Sequence, residues 1–488
     1  MTGHVLQPGA GGYTGWPKPP DPGGAFSVRG GVGGMKFQWQ ELSDAAAKLG
    51  AVADDADAAY GDLVLVQLAL QDPRLAWLPS RVAAQAAVSE AAEVLGRSIT
   101  EIRDLAGEVA AAHAAYRLAE EAAAWGMDQV HGATWWVSTP LGMAGNEGRP
   151  TRDGAELAIV HGPATLGALM GLPPSLLALA GRSSAAASPR EAAAALVGSA
   201  NSFGLLRAAP VSVAKTARPA GEIRLEPTAA ALLERAEAAA DAGPGTIEIL
   251  EVRTPEGARW VVTLPGTQAS GAAEATANPF DETGVAEALA GNSRHTAEAV
   301  SRALADAGAA AGDPVVLVGY SQGGMHAANL AASEEFRARH DVAYLVTAGS
   351  PVGGTAIPDG TGGLHLEHVQ DWVPGADGQP NPDTRDRVTV TLMGRVATPE
   401  GEGAGLGPGH DFANYVAGAR QLEGSRDPSV AASSAVLGTA LAGGGAARRH
   451  LFTLRRQSQP QNTPKAAPSG LPSPPSRPVR PPARGVPR

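Results

Sequence analysis

The chain reads as an α/β protein: a mainly parallel sheet flanked by helices, preceded by an all-α helical hairpin and followed by a disordered tail. Three features point there. Between residues 246 and 423, apolar strand-like runs alternate with alanine-rich amphipathic runs, as a layered α/β fold requires. Residues 35–126 hold two alanine-rich runs of helical spacing around a breaker with two prolines, DPRLAWLP. Residues 457–488, QSQPQNTPKAAPSGLPSPPSRPVRPPARGVPR, carry too little apolar surface to order themselves.

Taken in order, residues 1–34 are Gly and Pro rich and read as a flexible N-terminus. The hairpin arms span about Gln38 to Gln71 and Pro79 to Ala124. Residues 127–245 mix short helical runs with Gly/Pro breaks and read as a linker or a cap over the next domain. From Thr246, TIEILEVRTPEGARWVVTLPGT alternates like two strands joined by a Pro-Glu-Gly turn. The helix HTAEAVSRALADAG, the strand VVLVGYS and the helix GMHAANLAASEEF follow. VAYLVTAGSP, LHLEHVQD and RVTVTLMG then supply further strands before the helix HDFANYVAGARQL. Residues 424–456 form an Ala/Gly-rich segment, in which Val430 to Ala447 is too weakly apolar to prefer lipid and reads as a packed helix or linker.

Composition excludes several classes. The 488 residues, 44% hydrophobic, suffice for two or three domains. A net charge of −11 argues against nucleic acid as a partner. Without cysteine there is no disulfide scaffold, thiolate catalysis or Cys-bound zinc. No H-E-x-x-H, no G-x-G-x-x-G after a first strand and no GxxxxGK[ST] occur, so neither a metal nor a cofactor is expected. The N-terminus has no charged region followed by an apolar one, so no Sec-type signal is expected, and no transmembrane span either. Beyond Asp427 only basic charges occur, from Arg448, Arg449, Arg455 and Arg456 to Arg488, which suits a solvated tail or weak contact with an anionic surface.

The stretch VVLVGYSQGG puts Ser321 between glycines where an apolar strand runs into a helix. Gly319-Tyr320-Ser321-Gln322-Gly323 matches G-x-S-x-G, in which only residues without Cβ let strand and helix meet beneath a strained, exposed serine. The helix N-terminus then favours a developing oxyanion. A serine alcohol needs a base and an orienting acid, in the order Ser, Asp, His after successive strands. LHLEHVQDWVP ends in Asp371, with Asp377 as first substitute, and GLGPGHDFANYVAGA offers His410 at the mouth of a helix. His365 and His368 lie within the strand before Asp371 and aim sideways, while His326 lies inside the helix after Ser321 and reads as structural. For the oxyanion, the N–H of Gln322 can be joined by that of Thr267 or Gln268, because Gly266 in WVVTLPGTQ allows close approach.

At these residues the chain resembles an α/β-hydrolase, nearest the lipase and esterase branches with G-[YH]-S-x-G, an Asp followed by Val-Pro, and a late His. GYSQGG, TAGSPVGG and DWVP also resemble cutinase-like and PE-PPE-type serine hydrolases of actinobacteria; the likeness covers residues 246–423. The oxyanion segment departs from it, reading LPGT where lipases carry His-Gly or Arg-Gly-Thr forms. The resemblance implies cleavage of carboxylic esters or lipids through an acyl-enzyme on Ser321. A catalytically idle scaffold linked to secretion, or an acyltransferase with the same triad, are the alternatives.

The hairpin resembles the ESX, or WXG-like, substrates of type VII secretion, which carry a Trp-x-Gly turn and a Tyr-x-x-x-Asp/Glu signal. Here the turn reads Trp77-Leu78-Pro79, without the glycine, and Tyr116 and Glu120 lie one helical turn apart. The resemblance implies a protein secreted or held at the cell envelope by a non-Sec route, with secretion machinery or a helical-hairpin partner. A cytoplasmic protein whose hairpin packs within the chain or forms a homodimer is the alternative.

Overall fold

A computed structural model describes residues 25–457 apart from 34, 145, 162–188, 203–204, 217–220, 256, 269–275, 291, 399 and 401–404. The tail beyond residue 457 lies outside the described residues.

The ten described strands form one sheet. They are β1 (Phe26–Gly30), β2 (Val211–Lys215), β3 (Glu222–Leu225), β4 (Thr246–Thr254), β5 (Gly257–Leu264), β6 (Pro314–Tyr320), β7 (Asp341–Ala348), β8 (Gly362–His368), β9 (Arg387–Leu392) and β10 (Gly445–Arg456). Their order is β1-β9-β8-β7-β6-β5-β4-β10-β2, with β3 also on β10. The centre, β5 through β9, is parallel, and antiparallel pairs complete both sides. Val315, Val316, Leu317 and Val318 of β6 are all buried, as expected where helices cover both faces of a parallel sheet.

On one face pack α5 (Ala229–Asp241), α10 (Phe412–Leu422) and α11 (Pro428–Ala440), which bury Leu232, Leu233, Tyr415 and Leu437 against Val316, Val346 and Val390. On the other lie α6 (Glu282–Ala290), α7 (Arg294–Ala307) and α8 (Gln322–Ala332), which bury Val300, Leu304 and Leu330 against Ile249, Val262 and Leu317. The short α9 (Glu334–Arg337) follows. Outside the sheet, α1 (Met35–Ala69) and α2 (Ser80–Ala144) meet across a turn that Asp72 caps at the N–H of Arg74. Gln67 donates to Ser89, and Arg103 reaches back to Asp54 and Asp57, so the two helices run in opposite directions. Two smaller helices, α3 (Arg152–His161) and α4 (Pro189–Ser202), lie in the stretch read as linker or cap.

Several boundaries differ from the sequence reading. Residues 26–30, expected in the flexible N-terminus, pair with β9 residue for residue. Phe26 and Val28 pack on the core, and Gly33 N–H donates to Ser429 Oγ, which fastens the segment. The stretch 127–245 supplies β2, β3 and α5 to the α/β layers, and α2 continues through it to Ala144. In 424–456, the expected packed helix is α11, but Gly445–Arg456 is a strand inserted between β4 and β2. Its arginines disguised it as the start of a basic tail. Arg449, with Arg235, instead meets the fully buried Glu248, and Arg456 meets Asp281.

The Asp281–Arg456 pair is buried, and both guanidinium nitrogens donate to the carboxylate at 2.8 Å. Burial alone would raise the Asp281 carboxyl, but the hydrogen bonds and charge of Arg456, with Thr276, hold it below the ordinary carboxylate range. Removing one partner of such a pair leaves an uncompensated buried charge. Asp281→Ala is therefore expected to lower the stability measured by urea unfolding by about 3 kcal/mol. The depressed pKa means that the contribution is complete above the unfolded carboxyl's value of about 4 and is lost as pH falls through the folded value. Acid unfolding curves of Asp281→Asn should lack that component.

Candidate active site

The corner at Ser321 is a steric necessity. Ser321 has φ 52° and ψ −121°, between the end of β6 and the first turn of α8. A Cβ on Gly319 would fall 2.2 Å from the carbonyl carbon of Gly323, and one on Gly323 would fall 2.2 Å from the Leu264 oxygen. Gly324 is equally confined, by Ser350. Strand, helix and the end of β5 thus meet at a point where no side chain fits. The Ser321 N–H donates to Ala348 O at 2.8 Å, which ties the corner to β7. The Gln322 N–H opens α8 and has no intrahelical acceptor.

Asp371 follows β8 in a turn closed by its N–H to His368 O. One carboxylate oxygen, Oδ1, accepts from Val373 N at 2.9 Å. His410 ends a 3-10 turn, Pro408–His410, that lies against the Asp371 backbone: a Cβ on Gly409 would come 2.6 Å from Asp371 N. The three expected side chains are brought together. His410 Nδ1 lies 2.7 Å from Asp371 Oδ2, and His410 Nε2 lies 3.0 Å from Ser321 Oγ. With a neutral imidazole, Nδ1–H donates to the carboxylate and Nε2 accepts from the serine. Asp371 is wholly buried, while Ser321 and His410 are 5% and 6% exposed.

Two tyrosines join them that sequence reasoning missed. Tyr320 stacks on the His410 ring, with centroids 5.1 Å apart and planes at 28°, and its hydroxyl donates to the His410 carbonyl. Tyr415 donates to Asp371 Oδ2. Tyr320 occupies a variable position of G-x-S-x-G, and nothing in the chain's pattern links Tyr415 to Asp371. Only the packing of α10 beneath β8 does so.

The proposed oxyanion donors separate. The Gly266 backbone lies against the Tyr320 ring, which brings the loop after β5 beside the corner, and Thr267 is exposed on that loop. Gln268 is a correction. Its N–H donates to Phe280 O, and its side-chain oxygen accepts from Gly245 and Asn278, so it anchors the returning loop and offers the site no free N–H. Asp377, the substitute acid, accepts from Gly354 N and Gln379 N and makes no bond to His410. Burial pushes its carboxyl up to about 7. The other histidines are engaged elsewhere: His326 with Ser293 and Gln322, His365 with Thr347 and Arg387, and His368 with Gln370 N. Burial lowers the pKa of all three, that of His326 to about 3.

The three residues singled out by the resemblance to secretion substrates lie in the helical part. Trp77 is 77% exposed at the α1–α2 turn, and Tyr116 and Glu120 fall within α2, their side chains outside the described residues.

The stretch read as linker or cap is fastened to the turn at Asp371. Asn146 Nδ2 donates to the Gln370 backbone carbonyl, Gln370 Nε2 donates to Asn146 Oδ1, and Arg152 N donates to Val369 O. Ala155 and Ile159 of α3 and Ala193 of α4 pack on Trp372, Val373 and Ala376, a third small core directly after Asp371. A cavity of about 750 Å³ lies between Arg190, Asn292, Arg294, Asn329 and Arg339, and its lining includes none of the three site residues. Among the described residues no cluster of His, Asp or Glu is arranged to hold a metal, and no helix is long and apolar enough to cross a membrane. No protein-family model, curated protein or solved structure matches this chain.

Gly323→Ala should displace the serine corner, lowering stability in urea unfolding by more than about 2 kcal/mol. Gly438→Ala, at a position in α11 with nothing within 4 Å of the added methyl, should instead raise it by roughly 0.5 kcal/mol.

Proposed function

We propose that the chain is a serine hydrolase of the α/β-hydrolase type that cleaves carboxylic esters or lipids through an acyl-enzyme on Ser321. One observation carries the reading: Ser321 after β6, Asp371 after β8 and His410 in the 3-10 turn before α10 stand in a hydrogen-bonded line of 3.0 and 2.7 Å. A merely structural Ser–His–Asp contact would not require the serine to sit at positive φ between glycines that nothing else can replace.

In the proposed reaction His410 Nε2 takes the Ser321 proton as Oγ bonds to the ester carbonyl carbon. Asp371 fixes the imidazole through Nδ1 and stabilises the imidazolium. The negative charge gathered on the carbonyl oxygen meets the Gln322 N–H at the positive end of α8, with Thr267 as second donor; each such donor contributes roughly 10²–10³ in rate. His410 then protonates the departing alcohol, and the acyl–Oγ bond breaks when His410 activates water. The reading calls for no cofactor. An alcohol in place of that water would make the same machinery an acyltransferase.

For the helical part we propose export by a type VII-like route, supported by the opposed helices α1 and α2 and by the Tyr116–Glu120 spacing.

The test is hydrolysis of p-nitrophenyl esters of graded acyl length, run beside fluorophosphonate labelling. Wild type is expected to hydrolyse and label. Ser321→Ala should lose both, and His410→Ala should lose at least about 10³ in kcat. A folded wild type that neither hydrolyses nor labels would overturn the reading in favour of the idle scaffold.

A further inference from the structure

Asp371 is unusual in what it accepts. Oδ1 takes the Val373 N–H at 2.9 Å, while Oδ2 takes two donors at once, His410 Nδ1 at 2.7 Å and the Tyr415 hydroxyl at 2.5 Å. Tyr415 is completely buried one turn into α10, and its ring borders Gly349, where an added Cβ would lie 3.0 Å from Cε2. Tyr320 contacts the pair through its stacking and its bond to the His410 carbonyl.

We propose that Tyr415 is a positioning residue that shares Asp371 Oδ2 with His410, fixing the carboxylate and limiting how strongly it attracts the imidazole proton. This rests on the hydrolase reading only for its kinetic consequence; its electrostatic content concerns His410 alone. A hydroxyl that donates to a carboxylate oxygen draws density from it, so the carboxylate stabilises imidazolium less than an unshared one would. Burial and the neighbouring Asp371 charge raise the Tyr415 hydroxyl well above its ordinary value, so it remains a donor throughout the working range. The other titratable groups near the pair are His368 and Glu367 at the end of β8, Tyr320 on β6, and Asp411 beside His410. Arg149 packs on Gly407, close by in the chain. None of these donates to Oδ2.

The experiment compares wild type, Tyr415→Phe and Tyr320→Phe by two readouts. NMR titration of the His410 imidazole in the folded protein needs no turnover, and the pH profile of kcat/KM for a p-nitrophenyl ester reports the same group in action. Tyr415→Phe should raise the His410 pKa by about half a unit or more, shift the acid limb upward by the same amount, and lower kcat about tenfold with KM little changed. Tyr320→Phe keeps both donors on Asp371 Oδ2 and loses only the bond to the His410 carbonyl, so it should shift the titration less than Tyr415→Phe does. Coincident His410 titrations for wild type and a folded Tyr415→Phe would overturn the proposal. If Tyr415→Phe does not fold, Tyr415→Leu and Tyr415→Met, which are smaller and also lack the hydroxyl, are titrated under the same criterion. A raised His410 pKa in a protein that neither hydrolyses nor labels would uphold this inference while removing the hydrolase reading.

Discussion

The left-handed backbone at Ser321 is the constraint on which the site depends. A residue with a side chain at φ 52° is costly unless its surroundings hold it there, and here they do so completely. β6 enters from a five-strand parallel core, α8 leaves at once, and the end of β5 closes against Gly323. The bond from Ser321 N to β7 removes the remaining freedom. Relaxing any one of these partners would let the peptide flip, and the alcohol would lose its line to His410.

How much of this was legible in the chain differs from part to part. The apolar run of β6 and the glycines around Ser321 carry their own reason in the sequence, because few other conformations satisfy them. The order of Asp371 and His410 followed from the strands, and both lie within hydrogen-bond reach of the pairing expected. What stayed hidden was tertiary. Tyr415 meets Asp371 only because α10 packs beneath β8, and Gln268 loses its N–H to a loop that returns twelve residues later, at Phe280. No local pattern records either event. β10 was missed for an electrostatic reason: GAARRHLFTLRR looks soluble until Glu248 and Asp281, both far away in the chain, are seen to neutralise its arginines.

One of those ion pairs also ties together the antiparallel side of the sheet. Glu248 points from β4 toward Arg235 of α5 and Arg449 of β10, so one carboxylate joins two strands and the helix that covers them. Charges this deep add little net stability when paired, but a mispaired strand would leave one alone in the interior. The register between β4 and β10, Thr246 opposite Thr453 through Val252 opposite Ala447, is the arrangement that avoids this.

The placement of the two sheet-completing strands bears on how the chain reaches this state. β1 pairs residues 26–30 with 388–392, and β10 pairs residues 447–453 with 246–252. Neither contact exists until hundreds of intervening residues have been synthesised, and the second needs nearly the whole described chain. Loop closures of that span slow folding and leave apolar strand edges open meanwhile. The β6–Ser321–α8 corner is local and can form early, but the sheet that keeps it strained stays incomplete during translation, so native structure is acquired only after residue 456 has emerged from the ribosome.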